Sequence, residues 1–198
     1  MKIGVTGNYA SGKGTVCSMF EKLGAIVIDT DLIAREVVQA GSPVLTKIVS
    51  AFGPGFLSPE GTLDRKKFGA YIFESPSRVQ LLNSIIHPAI LEITLKRAPD
   101  DENNIYMINA PVLFEASFDT YMDYVIVVSA ADKQSLERGI KRDGISKEEI
   151  EKRLANQISL NEKIRRADYI IDNSKDLDFT RKQVCEIWNN LINRKIVP

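Results

Sequence analysis

Residues 7–15 have the spacing that a phosphate-binding loop requires. The segment GNYASGK at positions 7–13 fits the pattern G-x-x-x-x-G-K. Gly7 and Gly12 allow backbone angles and close approaches that a Cβ would block, so that successive backbone N–H groups can point at phosphate oxygens. Lys13 would neutralise the β- and γ-oxygens, where charge builds up during phosphoryl transfer. The pattern therefore predicts a loop that binds ATP and assists transfer of its γ-phosphoryl group.

The surroundings of the loop support this interpretation, since the apolar run at 2–6 precedes it and an amphipathic segment at 13–23 follows it. A flexible turn between a strand and a helix would need neither this length nor the lysine. The last position departs from the motif: Gly14 stands where Ser or Thr would bind Mg²⁺, and Thr15 follows. Thr15 is therefore the candidate metal ligand, and ATP and Mg²⁺ are the predicted cofactors. The candidate nucleotide contacts in the loop are Ala10, Ser11, Gly12, Lys13, Gly14 and Thr15.

Two aspartates follow the second apolar run, at the edge of the predicted sheet where ligands bind. Asp31 could accept the proton of an acceptor hydroxyl. The alternative, which the position favours less, is the N-cap of a helix at 31–38, because Asp is a favoured cap. Asp29 is assigned to metal binding or to structure.

Five short apolar runs predict the strands that position these residues. Most are too uniformly apolar to have a solvent-exposed face, and helical patterns separate them. This arrangement is typical of a parallel sheet covered on both faces. The fold class is α/β, a doubly wound parallel five-stranded sheet with a phosphate loop. The predicted strands are 2–6, 25–29, 105–109, 124–129 and 169–171. The predicted helices are 13–23, 31–38, 43–52, 64–73, 77–86, 88–97, 132–142, 147–157 and 178–193.

The distance between the second and third strands, about 75 residues, exceeds what a simple crossover needs. A helical insertion is therefore expected over 31–103, where an acceptor could bind. The helical pair at 132–142 and 147–157 is rich in charge. Arg138 and Arg142 share one face of it and could close over phosphates, or they could be a solvated face.

Composition limits the other possibilities. Lys plus Arg and Asp plus Glu both number 26, so no net basic charge favours a nucleic acid partner. Two distant cysteines and one histidine argue against a disulfide framework or a zinc site, which favours the cytoplasm. No apolar run approaches the length of a membrane span. Nothing in the sequence indicates an oligomeric state.

Six further motifs occur in a fixed order after the phosphate loop: VIDTDLIAREVV at 27–38, LDR at 63–65, IIHP at 85–88, APVLFE at 110–115, KRDG at 141–144 and DNSKD at 172–176. Together with the loop, over nearly the whole chain, the sequence resembles the dephospho-CoA kinases. The resemblance implies ATP-dependent phosphorylation of the ribose 3′-hydroxyl of dephospho-CoA, a small-molecule partner, in the last step of coenzyme A synthesis.

The resemblance also implies roles for single residues. Asp31 matches the family's proposed base, and Arg138 and Arg142 fall in its lid. His87 and Arg65 fall in the acceptor region, although alone they would be a packed or capping histidine and a surface arginine. Asn173 and Ser174 resemble the family's adenine-side loop, and an Asx turn is an equally good local interpretation.

The implied organisation has three parts. Residues 1–30, 104–131 and 166–198 would form the nucleotide-binding core, 31–103 a helical acceptor-binding domain, and 132–165 a helical lid.

The sequence departs from the family pattern at Asn8, Gly14 and Asn109. These departures affect the binding of the metal ion more than the choice of acceptor.

Three competing functions remain open. A nucleoside monophosphate kinase would share the loop sequence GKGT, but would not explain the IIHP, LFE and DNS motifs. A GTP-dependent switch would need the pattern N-K-x-D, which the sequence lacks. A non-catalytic nucleotide-binding regulator is suggested only by Gly14 and Asn109.

Overall fold

The computed structural model describes residues 1–130, 135, 139–140, 150 and 157–196. A five-stranded sheet in the order β2-β3-β1-β4-β5 is its centre, and the pairs β1–β3, β1–β4 and β4–β5 run parallel. This confirms the predicted α/β class and all five predicted strands, whose ends move by one residue at most. The strands are β1 Lys2–Gly7, β2 Ile26–Asp29, β3 Tyr106–Asn109, β4 Tyr124–Ser129 and β5 Tyr169–Asp172.

Helices connect the strands along the chain. Their bounds in the described residues are α1 Lys13–Lys22, α2 Thr30–Glu36, α3 Pro43–Phe52, α4 Arg65–Phe73, α5 Pro76–Arg97, α6 Leu160–Arg165 and α7 Leu177–Ile196. Short 3₁₀ turns lie at Pro54–Phe56 and Phe118–Tyr121. The helices expected at 132–142 and 147–157 lie outside the described residues. Helix α6 was not predicted from the sequence.

The chain divides into two compact units. The first joins Met1–Ile28 to the chain from Ala98 onward and contains the strands around β1. Its core lies between the sheet and the helices α1 and α7, where Phe20 and Leu191 are fully buried against strand residues such as Ile3 and Ile126. This packing fixes where α1 begins relative to the end of β1.

The second unit, Asp29–Arg97, is helical. Here α5 contacts α2, α3 and α4, and it buries Ile90 and Thr94 within the unit. Aromatic rings around Phe68 add to the packing, since Phe52 and Phe56 both meet it edge-on at centroid distances of 5.4 and 5.2 Å. The helical insertion thus has a core of its own.

Two helix boundaries differ from the expectation. The predicted break at Pro88 is wrong, because α5 is one helix from Pro76 to Arg97 with Pro88 inside it. Proline removes one backbone donor, and the packing of α5 against three other helices offsets that loss. The predicted start of α2 at Asp31 is also wrong, because Asp29 is the N-cap and α2 begins at Thr30.

Within the ranges described, none of the helices combines the length and the apolar character needed to cross a membrane.

Candidate active site

The predicted phosphate loop lies where the motif requires it, since Gly7 is the last residue of β1 and Lys13 is the first residue of α1. Glycine is required at Gly7 because a Cβ there would lie 2.1 Å from the carbonyl oxygen of Val128 in the neighbouring strand. Gly12 has a φ of 90°, in the left-handed region that side chains disfavour. Both glycines are therefore needed for the shape of the loop.

The N-terminus of α1 is arranged to receive an anion. Its N-cap, Gly12, has no side chain to occupy the first N–H groups, and its first turn has no acidic residue. Gly14 and Thr15 are exposed there. The ammonium group of Lys13 donates to the backbone oxygen of Asn8, 3.0 Å away, which holds the charge beside the loop. The N–H groups at a helix N-terminus, the helix dipole and a lysine are the groups that a phosphate site needs.

Two loop side chains contact the segment after β4. The amide nitrogen of Asn8 lies 3.2 Å from the carbonyl oxygen of Ala130 and 3.3 Å from the hydroxyl of Ser135. The ring of Tyr9 lies against Gly139 so closely that a Cβ there would be 2.1 Å from the ring. Ser135 and Gly139 are both in helical conformation, and both meet the loop. Arg138 and Arg142, the predicted lid arginines, lie outside the described residues.

Asn173 and Ser174 follow β5. The backbone N–H of Ser174 donates to the carboxylate of Asp172 at 2.9 Å, which forms the Asx turn that the sequence allowed. Hydrogen bonds from Ser174 lower the pKa of Asp172. The side chain of Asn173 instead reaches the phosphate loop, donating to the carbonyl oxygen of Ser11 at 2.7 Å. The structure therefore brings Asn173 to the loop by a hydrogen bond that the sequence did not reveal.

Asp31 belongs to the helical unit and is exposed in the first turn of α2. The capping role proposed for it belongs to Asp29, whose carboxylate accepts from the N–H groups of Asp31 and Leu32 at 2.8 and 3.3 Å. That finding corrects the capping alternative and gives Asp29 its structural role. Capping therefore gives no reason for a carboxylate at position 31.

Arg65, also in the helical unit, lies beside Arg35, to whose backbone oxygen its guanidinium donates at 3.0 Å. Partial burial, and then the charge of Arg35, lower the pKa of Arg65. Neither arginine forms an ion pair with another residue of the described ranges. The hydrogen bond holds the Arg65 guanidinium where it also feels the positive charge of Arg35, and such a positive region is suited to a phosphate group. Arg35 was missed in the sequence because it lies 30 positions from Arg65 and in no charged run.

His87 is half-buried in the middle of α5 instead of at a helix end. A capping role is therefore excluded for it.

A buried charged network, also missed, ties the segment after β3 to α6. Lys163 is 1% exposed and Glu115 is 12% exposed, and their charged groups lie 3.1 Å apart. Lys163 also donates to the backbone oxygen of Pro111 at 3.0 Å, and Thr6 at the end of β1 donates to the same oxygen at 3.2 Å. Glu115 accepts from the N–H of Ile158 at 3.0 Å. The APVLFE motif is therefore held by α6 and β1. No periodicity marks Lys163 as buried, so the sequence alone gave no signal for it.

For a metal ion, the described residues contain no group of three or more His, Cys, Asp or Glu side chains that would form a binding cage. Thr15 is exposed in the first turn of α1, one residue after Gly14. An ideal Cβ on Gly14 would have no atom within 4 Å. This open arrangement fits a metal ion that is carried mainly by the phosphates of the nucleotide.

Comparisons with known proteins agree with this geometry. The family model described as dephospho-CoA kinase matches residues 1–178. A dephospho-CoA kinase of Moorella thermoacetica is 43% identical over 193 residues, which are 96% of this chain and 91% of that protein. The structure of a dephospho-CoA kinase from Campylobacter jejuni is 30% identical, with a TM-score of 0.70 over 96% of this chain and 98% of that one.

A crystal structure from Thermus thermophilus is 26% identical, with a TM-score of 0.81 over 96% of this chain and 97% of that one. A shikimate kinase from Bacteroides thetaiotaomicron, at 15% identity and a TM-score of 0.52, shares the fold. The phosphate loop, the motif order and these matches lead to one assignment: the chain belongs to the dephospho-CoA kinase family.

Proposed function

We propose that this chain transfers the γ-phosphoryl group of ATP to the ribose 3′-hydroxyl of dephospho-CoA, giving coenzyme A and ADP in the last step of coenzyme A synthesis. The observation that carries the proposal is the phosphate loop between β1 and α1, with Lys13 at the first helical position, in a chain of the dephospho-CoA kinase family. A kinase needs these groups to hold the phosphates and to balance charge in the transition state.

In the proposed reaction the 3′-oxygen of the acceptor attacks the γ-phosphorus. A new oxygen–phosphorus bond forms, the bond between the γ-phosphorus and the β,γ-bridging oxygen breaks, and ADP leaves. Asp31 takes the proton of the attacking hydroxyl. Lys13 and Arg138 stabilise the charge on the transferring group, so we assign catalytic roles to Lys13, Asp31 and Arg138.

Binding is divided among other residues. Residues 10–15 hold the phosphates through backbone N–H groups, and Arg142 and Ser174 contact the nucleotide. Arg65 and His87, with Asp31, bind dephospho-CoA in the helical part, 31–103. The position of the Arg65 guanidinium beside Arg35 supports this, since the acceptor carries phosphate groups.

Three parts would carry the reaction: a nucleotide-binding core of 1–30, 104–131 and 166–198, the acceptor-binding part, and a lid of 132–165. The lid would close over the phosphates and exclude water during transfer.

Magnesium, when bound, neutralises charge on the phosphates. Thr15 would be an outer partner of the ion, since Gly14 supplies no hydroxyl. We also expect the protein to act in the cytoplasm on a small-molecule substrate and to bind neither nucleic acid nor a membrane, given its zero net charge and two distant cysteines.

A coupled assay of ADP release tests the proposal, with dephospho-CoA, AMP, CMP and UMP compared as acceptors. We expect turnover with dephospho-CoA and none above background with the three nucleoside monophosphates. Lys13→Ala is the control against a contaminating kinase: it should fold and lose orders of magnitude in turnover. Preferred turnover of a nucleoside monophosphate, or an unchanged rate in folded Lys13→Ala, would refute the proposal.

A further inference from the structure

The side chain of Asn173 joins two elements at the phosphate loop. Its amide nitrogen donates to the carbonyl oxygen of Ser11 at 2.7 Å, and its amide oxygen accepts from the hydroxyl of Thr180 in α7 at 2.9 Å. Its backbone N–H donates to the carbonyl oxygen of Ser129, at the end of β4, at 2.7 Å. Asn173 is 5% exposed and Thr180 is fully buried. The amide is therefore an internal connection.

The chemistry of the partners fixes the orientation of this amide. The Ser11 carbonyl oxygen can only accept a hydrogen bond, so the Asn173 nitrogen must face it. The Asn173 oxygen then faces the hydroxyl of Thr180, which can donate. Aspartate at this position would place a carboxylate oxygen against a carbonyl oxygen. An amide is thus the group that the site requires.

The peptide that Asn173 holds is part of the phosphate site. The carbonyl of Ser11 and the N–H of Gly12 belong to one peptide unit, and in a planar trans peptide they point in opposite directions. Fixing the carbonyl towards Asn173 therefore aims the Gly12 N–H away from it. Gly12 also allows the contact, since a Cβ there would lie 2.2 Å from the Asn173 nitrogen. Lys13 follows directly, so the start of α1 is fixed too.

We propose that Asn173 is a positioning residue that holds the Ser11–Gly12 peptide in the shape that binds phosphate, and that it does not read the adenine base. The consequence for catalysis rests on the proposed function, whereas the direct effect of Asn173 is on phosphate binding. Thr180 supports it by holding the amide oxygen. Within the motif DNS at 172–174, Asp172 and Ser174 form the turn, and Asn173 holds the phosphate loop, a role called the brace below.

A ligand that lacks the adenine base distinguishes the two possible roles of Asn173, which are positioning of the phosphate loop and contact with the base. Calorimetry would measure binding of ADP and of inorganic tripolyphosphate to the wild type and to Asn173→Ala, in the absence of acceptor. If Asn173 positions the loop, both affinities should fall by the same factor, about tenfold, because the loss of one hydrogen bond to a buried carbonyl loosens the phosphate site. A base contact predicts that only ADP weakens.

Gln183→Ala is the matched control. Gln183 is also a side-chain amide of α7 that holds the chain near β5, since it accepts from the N–H of Asp172 and donates to its carbonyl oxygen, both at 2.9 Å. It touches no residue of the phosphate loop through these bonds. We expect Gln183→Ala to lower the melting temperature and to leave the affinity for tripolyphosphate unchanged. Asn173→Ala should change both.

A second pair of variants keeps the proposal testable if Asn173→Ala fails to fold. Thr180→Val removes the hydroxyl that holds the Asn173 oxygen, while Thr180→Ser retains it. We expect Thr180→Val to weaken tripolyphosphate binding severalfold and Thr180→Ser to restore it.

Unchanged tripolyphosphate affinity in Asn173→Ala, or in Thr180→Val if the former does not fold, would overturn the brace. So would an equal loss in Gln183→Ala. These binding results are independent of the acceptor. If the brace is found and dephospho-CoA is not phosphorylated, the proposed function fails and the assignment of Asn173 stands.

Discussion

The two aspartates at the start of α2, Asp29 and Asp31, have different roles. Asp29 caps the helix through two N–H groups, while Asp31 is exposed in its first turn. An acidic residue there gains only a modest interaction with the helix dipole, about 0.3–1 kcal/mol. Neither capping nor this dipole interaction demands a carboxylate at position 31, and its chemical role is the one to test.

For Asp31→Asn we expect turnover to fall by about 10²–10⁴, because the general base is removed. The dissociation constant for ATP and the melting temperature should change little, because Asp29 still caps α2. Asp29→Asn is the matched control, since asparagine caps as well as aspartate. Steady-state kinetics, calorimetry and thermal unfolding measure these effects, and a near-wild-type rate in Asp31→Asn would exclude it as the base.

Gly14 is the residue that sets the expected behaviour towards magnesium. Gly14→Ser should fold normally, because an ideal Cβ there meets no atom within 4 Å. The added hydroxyl should lower the magnesium concentration for half-maximal rate by supplying a ligand where the motif usually has one. Titrating Mg²⁺ at saturating ATP measures the change.

We also expect very weak binding of Mg²⁺ to the nucleotide-free wild type, because the ion would rest chiefly on phosphate oxygens. Tight binding in calorimetry would contradict it. An inactive but folded Gly14→Ser variant would do so as well, since it would mean that the site needs the space at Gly14.

Among the elements, α6 is tied to the segment after β3 by the buried pair of Lys163 and Glu115. For Lys163→Met we expect a loss of about 3–5 kcal/mol in the free energy of unfolding, because the Glu115 charge stays buried without its partner. The double variant Lys163→Met with Glu115→Leu should recover part of the loss. Urea denaturation of the wild type, both single variants and the double variant measures the coupling, and simple additivity would show that the pair does not act as a unit.

The elements also show how far the sequence could predict the structure. The strands were predictable because their apolar runs have sharp ends, and the phosphate loop because its spacing is set by backbone geometry. The break at Pro88 was wrong because packing around α5 outweighs one lost hydrogen bond. The brace at Asn173 and the burial of Lys163 depend on contacts across 162 and 48 positions, which no local pattern encodes.

At the scale of the whole molecule, the proposed function assigns the two substrates to two different compact units. The phosphate loop lies in the first unit, and Arg65 and Arg35 lie in the helical unit, Asp29–Arg97. Each unit has its own buried core. Substitutions in the helical unit should therefore affect the acceptor without affecting ATP.

For Arg65→Ala we expect about a tenfold or larger rise in KM for dephospho-CoA, since a charge-assisted hydrogen bond to a phosphate is worth about 1.5–3 kcal/mol. KM for ATP should be unchanged. Lys66→Ala, next in sequence and also exposed, is the control for loss of one positive charge. Equal effects of the two substitutions would mean that Arg65 contributes only general electrostatic attraction and no specific contact with the phosphate.

The position of the transferred phosphate tests the central claim most directly. Phosphorus NMR of the product made from ATP and dephospho-CoA by wild-type protein should show a new phosphomonoester on the ribose 3′-oxygen, formed in equal amount to ADP. Lys13→Ala should give none in the same time. ADP release without that phosphomonoester, or a phosphate at another position, would contradict the assignment of this chain as a dephospho-CoA 3′-kinase.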